Sequence, residues 1–227
     1  MKNDLIFSFI TLLIFLHTAT QAQEEPDAVL DWDGNALLLG ESYYVVPIVP
    51  IINVRASGLL PFVVSKENCR YGVSQTLSGV GVSMNFSLIV TPYNHLLSRK
   101  KTAPTEFAVP ENVDLDISFS TSVGCGPSDR WKSDYDNATE QYFVMIGAEP
   151  RKNPPGIIGE AFQIRKVGIP GTYEFVFCPQ TCFSCVRKCH AVGIVVQGGV
   201  RRLVVSTTGE AFFPFSFRKY LPEHAMD

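Results

Sequence analysis

The sequence predicts an all-β protein, and three observations carry that reading. Ten short runs are rich in β-branched and aromatic residues. Turn signals separate them. No segment keeps an apolar stripe at 3.6-residue spacing over three turns.

The runs follow one another along the whole chain: "SYYVVPIV" (42–49), "RYGVSQ" (70–75), "FSLIVT" (86–91), "VDLDISFS" (113–120), "QYFVMIG" (141–147), "AFQIRKV" (161–167), "TYEFVF" (172–177), "VGIVVQ" (192–197), "RRLVVST" (201–207) and "FFPFSF" (212–217). Between them lie "DWDGN", "ASGLLP", "GCGPSD", "RKNPPG" and "GIPG", each read as a turn. "SGVGVS" (78–83) is read as a strand bend, since nothing helical follows its glycines. Asp114 and Asp116 alternate along one run and are read as its solvent face. "SYYVVPI", "QYFVMIG" and "TYEFVFC" each place a tyrosine just ahead of an apolar strand, a weak internal echo. The glycines and prolines are spread out and mark no linker. Strands this short and numerous suit one barrel or sandwich.

The N-terminus reads as a secretory signal. Lys2 precedes the apolar run "LIFSFITLLIFL", and small residues at Ala19 and Ala22 suit cleavage after residue 22. Leu5 to Leu16 is 12 residues, whereas spanning a bilayer takes about 20. The expectation is a signal peptide (1–22), one mature domain (23–227) and a secreted protein, extracellular or vacuolar, with no membrane partner. Net charge is −3, and removing Lys2 and Asp4 leaves it unchanged. That balance predicts no nucleic-acid partner.

Six cysteines in a secreted chain make disulfides the default. Four of them, Cys178, Cys182, Cys185 and Cys189, fall in "CPQTCFSCVRKC". On a helix that spacing would also suit a four-thiolate zinc site. "CFSC" also has the form of a redox dithiol, but lacks the βαβ context of one. The segment follows a β-rich run, and Pro179 comes right after Cys178, so pairing is the simpler use. No metal or other cofactor is expected.

Enzyme constellations are missing. His95, His190 and His224 form no ligand pair, and there is no G-x-S-x-G elbow or nucleotide-binding glycine loop. The expectation is a non-enzyme. The segment "TPYNHLLSRKKTAPTEFAVPEN" (91–112) joins two strand-like runs and carries Arg99, Lys100 and Lys101. It is either a solvated surface insertion or a recognition loop that offers a basic side chain to a partner. "NFS" and "NAT" make Asn85 and Asn137 N-glycosylation sequons. Asn137, in a polar run, is the better exposed of the two.

Several of these stretches resemble one family in order. "VLDWDGNALLLGESYYVV" (29–46) resembles the N-terminal signature of the Kunitz-type soybean trypsin inhibitor family, with Asp31, Gly34 and Tyr43 at its fixed offsets. "DNATEQYFVMIG", "FVFCPQTCFSCVRKC" and "VGIVVQGGVRRLVVS" resemble its miraculin-like branch. The resemblance runs from about residue 28 to 220. It implies a β-trefoil: twelve strands in three pseudo-repeats, six closing a barrel and six forming hairpin caps. It also implies the pairings Cys178–Cys189, Cys182–Cys185 and Cys69–Cys125. The stretch "RKVGIPGTY" lacks the cysteine that links subunits in one member of the branch, so a monomer without an interchain disulfide is expected.

The activity it implies is inhibition of trypsin-like serine proteases through the 91–112 loop. Arg99, Lys100 and Lys101 are then the candidates for P1, the residue that fills the specificity pocket. The alternative within the same branch is a non-inhibitory binding or storage protein. At one position the chain departs from the inhibitors. Leu39 precedes Gly40 where the best-known inhibitors carry an asparagine that hydrogen-bonds to the loop.

Overall fold

A computed structural model describes residues 26–48, 57–89, 107–124, 128–147, 159–179, 188–208 and 213–221. Twelve strands run through them: β1 (Ser42–Pro47), β2 (Gly58–Ser65), β3 (Arg70–Thr76), β4 (Met84–Leu88), β5 (Leu115–Phe119), β6 (Lys132–Asp136), β7 (Gln141–Gly147), β8 (Phe162–Lys166), β9 (Tyr173–Phe177), β10 (His190–Gln197), β11 (Val200–Val205) and β12 (Phe215–Lys219). Among the described residues there is no helix. Six strands close a barrel in the order β12, β1, β4, β5, β8, β9 and back to β12. The hairpins β2–β3, β6–β7 and β10–β11 form the cap, where β3, β7 and β11 pair with one another around a triangle. This is the β-trefoil.

Threefold repetition shows in the registers. Tyr43 faces Met84, Leu115 faces Phe162, and Tyr173 faces Phe215. The equivalent positions therefore stack as layers: Tyr43, Leu115 and Tyr173; Val45, Ile117 and Phe175; Phe86, Ile164 and Phe217; Met84, Phe162 and Phe215. All twelve side chains are buried, because alternate residues of a strand point to the same side. Closing the sheet removes its edges, and burying each phenylalanine in the lumen stabilises by about 1.5–3 kcal/mol. Trp131 seals the core between Phe119, Phe162 and Phe175.

Several expectations need correcting. "ASGLLP" is not a turn, because Gly58 to Pro61 open β2. Gly58 is there for close approach: a Cβ would stand 1.9 Å from the Val80 carbonyl oxygen. The glycine-rich 78–83 segment does bend the chain, with Gly79 and Gly81 at φ +79° and +78°. β6, "KSDYD", was not among the predicted runs. Its first three residues, all polar, are buried: Lys132 Nζ donates to the Gly147 carbonyl, and Asp134 binds Arg70 at 2.7 Å.

Asp114 and Asp116 do not form a solvent face. Both are buried on the outer side of the barrel, under Gln163, whose Nε2 donates to Asp114 Oδ1 at 2.9 Å, and Arg130, 2.8 Å from Asp116. Burial raises the Asp116 pKa, Arg130 opposes the rise and Glu160 adds to it. The tyrosine echo is a repeat at Tyr43 and Tyr173 only. Tyr142 lies in cap strand β7 and packs against Tyr135.

Candidate recognition loop and its base

The connection from β4 to β5 leaves the end of the barrel opposite the cap. Arg99, Lys100 and Lys101 lie outside the described residues, as does the rest of 90–106. The two arms at its base are described. On the β4 side, Ile89 N donates to the Asp114 carbonyl at 3.2 Å. On the β5 side, residues 107–111 are fixed by the chain's N-terminal segment, and Asn112 N donates to the Ile164 carbonyl of β8.

That segment folds as a small hairpin because its residues demand it. Asp31 is buried, and its Oδ1 accepts from Asp33 N and Asn35 N, closing an Asx turn. Gly34 supplies the left-handed conformation, φ +82°, that the turn requires. Leu30 and Ala36 then bridge as the two limbs.

Both limbs grip the loop arm. Val29 N donates to Val109 O, Val109 N to Leu37 O, and Leu37 N to Val29 O, at 2.7–2.8 Å each, a closed ring of three backbone bonds. Those three residues are fully buried. Leu39 N donates to Phe107 O, and Glu111 N to Asp27 O. Two phenols hold the hairpin from the barrel side: Tyr43 Oη accepts from Leu38 N, and Tyr173 Oη from Leu30 N, both at 2.9 Å. Burial raises both phenol pKa values, so both are neutral at physiological pH.

Leu39 makes no side-chain hydrogen bond. It packs on the core and, with Gly40, Asn85, Phe86, Leu88 and Phe107, lines a cavity of about 370 Å³ at the base of the loop. In the loop's C-terminal arm, Glu111 is buried with Oε1 unpartnered. Burial raises its pKa, Lys166 opposes the rise and Asp27 adds to it.

Apart from Asn85 at the loop base, the remaining predicted site residues sit away from the loop or outside the described chain. Cys178 and Cys189 are disulfide-bonded, with Cα atoms 4.2 Å apart, so neither serves as a thiolate metal ligand. Cys69 is also disulfide-bonded; Cys125, Cys182 and Cys185 lie outside the described residues. Asn137 is exposed in the β6–β7 turn. Asn85 is half-buried in β4, and its Oδ1 accepts from Ser42 Oγ at 2.6 Å. His190 Nδ1 meets only a backbone carbonyl, that of Ser206. Reading the sequence missed the support that the N-terminal hairpin gives the loop. Its signal was the signature itself: Asp31, Gly34 and Tyr43 are the residues that build and hold that hairpin.

A trefoil barrel with an N-terminal hairpin clamped to a long β4–β5 connection defines a class, and residues 29–219 match the family model described as trypsin and protease inhibitor, Kunitz legume type. The chain belongs to this Kunitz-type family. It is 37% identical over 201 residues to Kunitz trypsin inhibitor 4 of Arabidopsis thaliana, covering 86% of this chain and 84% of that protein. It is 34% identical over 226 residues to miraculin of Synsepalum dulcificum, covering 95% of each. Among solved structures it is similar to the trypsin inhibitor from soybean, with 26% identity, TM-score 0.62, and 86% and 100% of the two chains covered.

Proposed function

We propose that the protein is a secreted inhibitor of trypsin-like serine proteases that acts by substrate mimicry. The observation that carries this reading is the loop base. A connection with three consecutive cations is mounted on a barrel whose N-terminal hairpin clamps its C-terminal arm through the Val29–Val109–Leu37 ring. A protease accepts an extended loop and places one side chain, P1, in its specificity pocket. A trypsin-like pocket carries a buried aspartate and selects arginine or lysine. A pre-ordered loop loses little entropy on binding, and a clamped arm keeps a cut bond in place to be rejoined. Complexes of this kind bury roughly 1,600 Å².

P1 is one of Arg99, Lys100 and Lys101. Lys101 is the first choice, because Pro104 then stiffens the primed side without occupying the scissile bond. The kinship to Kunitz trypsin inhibitor 4 supports the target class. The test replaces all three cations by alanine. Trypsin affinity is expected to fall by several kcal/mol, since P1 is the buried anchor of such an interface. Stability is expected to stay within about 0.5 kcal/mol. A triple variant that inhibits as well as the parent overturns the loop assignment, and progressive degradation of the parent by trypsin favours a binding or storage protein.

A further inference from the structure

We infer that the phenols of Tyr43 and Tyr173 are positioning groups for the recognition loop, acting through the N-terminal hairpin. This rests on the reading of the 91–112 connection as a protease-binding loop.

The geometry alternates along each limb. Successive amides of an extended chain point to opposite sides. On the first limb, Val29 N reaches the loop arm at Val109, while the next amide, Leu30 N, reaches Tyr173 Oη. On the second limb, the Leu37 carbonyl accepts from Val109 N, while Leu38 N reaches Tyr43 Oη. Each limb is thus held between a phenol on the barrel and the loop arm. The two tyrosines occupy equivalent positions in two of the three trefoil units. The third equivalent, Leu115, has no hydroxyl. There the arm is covalently continuous with the strand, through Glu111 to Asp114. Three supports therefore converge on residues 107–111, two through phenols and one through the chain.

Both tyrosine rings are in the core, 1% and 0% exposed, so their oxygens are fixed by packing rather than by mobile side chains. Phenylalanine would keep the ring and delete the acceptor, leaving one half-buried amide of the hairpin, Leu38 or Leu30, without its protein partner. The plain alternative is that these phenols satisfy two half-buried amides and affect only global stability.

The test compares Tyr43→Phe and Tyr173→Phe with Val45→Ala, which trims a fully buried barrel residue that does not bond the hairpin. Well below the unfolding temperature, amide exchange at Val109 is expected to rise about tenfold in each tyrosine variant, the scale of one lost buried acceptor. Trypsin should cut the 91–112 loop faster by a similar factor. Val45→Ala should lower the unfolding temperature with neither effect. Val109 exchange that moves no further in the tyrosine variants than in Val45→Ala overturns the inference. If exchange rises as expected while the parent inhibits no trypsin-like protease, the positioning stands and the protease reading falls.

Discussion

The Arg202 guanidinium lies 3.6 Å from the centroid of the Phe143 ring, and Phe62 stands on it at 5.3 Å. Around it, Nη1 donates to Gln197 Oε1 and lies 3.9 Å from Asp136 Oδ2, while Nη2 approaches Met145 Sδ. Burial lowers the Arg202 pKa, Asp136 opposes the fall and Arg70 adds to it. This cation joins β11, β7 and β2 in the cap by stacking more than by ion pairing.

The substitution of choice follows from that. Lysine keeps the charge but is compact and strongly hydrated, and cannot stack as a plane. Arg202→Lys is expected to cost about 1–2 kcal/mol. Arg202→Met, apolar and of similar reach, is expected to cost less, because replacing a buried ion by a packed side chain is often near neutral. Urea unfolding measures both. The opposite order would mean that the Asp136 pair, not the rings, governs the site.

The barrel was legible because its strands carry the right alternation. "YEFVF" and "FSFRK" show it directly, and the turn signals at "DWDGN" and "GIPG" fall where the chain turns. β6 was not legible, because Lys132, Ser133 and Asp134 look like solvent-facing residues until Gly147, β7 and Arg70 are brought to them. Asp114 and Asp116 misled for the same reason: alternation says which side of a strand a residue faces, not whether another segment covers that side. Gly58 opens β2 only because the Val80 backbone crosses there. The loop's sequence shows its charge, but its support is a set of backbone bonds from residues 60 or more positions away, which leave no periodicity to read.

The disulfides give a direct measurement. Cys69, in the turn between β2 and β3, is bonded, and we propose Cys125 as its partner and Cys182–Cys185 as the inner pair. Non-reducing peptide mapping should recover Cys69–Cys125, with the other four cysteines linked within one peptide. Removing Cys69–Cys125 as a pair of alanines should cost about 4 kcal/mol, because it closes a loop of about 56 residues. Free thiols in the purified protein would contradict the scheme.

Glycan occupancy should divide unequally between the sequons. Asn137 is exposed in the turn after β6. Asn85 is half-buried, and β4 pairs with β1 and β5 on either side of it at Ser42 and Ser118. Enzymatic deglycosylation should remove mass mainly from Asn137, and Asn137→Gln should abolish most of that loss. A loss that survives in Asn137→Gln and disappears in Asn85→Gln would reverse the assignment.

Glu111 ties loop support to pH. Its carboxyl is buried with Oε1 unpartnered, and burial lifts its pKa above the ordinary glutamate range against the pull of Lys166. The fold therefore prefers the protonated acid. A folded-state pKa above the unfolded one gives a contribution to stability that is fully present below the unfolded pKa, ~4.3, and is lost as pH rises through the folded pKa. Glu111→Gln keeps the shape and removes the ionisation. Between pH 4 and pH 7 the parent should lose stability relative to this variant, and at pH 7 the glutamine form should be the more stable. Asp116 shifts in the same direction, so only the difference between parent and variant isolates Glu111. Because Glu111 N bonds Asp27 O beside the ring at Val109, protection of the Val109 amide against exchange, corrected for its intrinsic pH dependence, should rise with acid more in the parent than in the variant. A parent-to-variant difference independent of pH would show that Glu111 keeps an ordinary pKa in the folded protein.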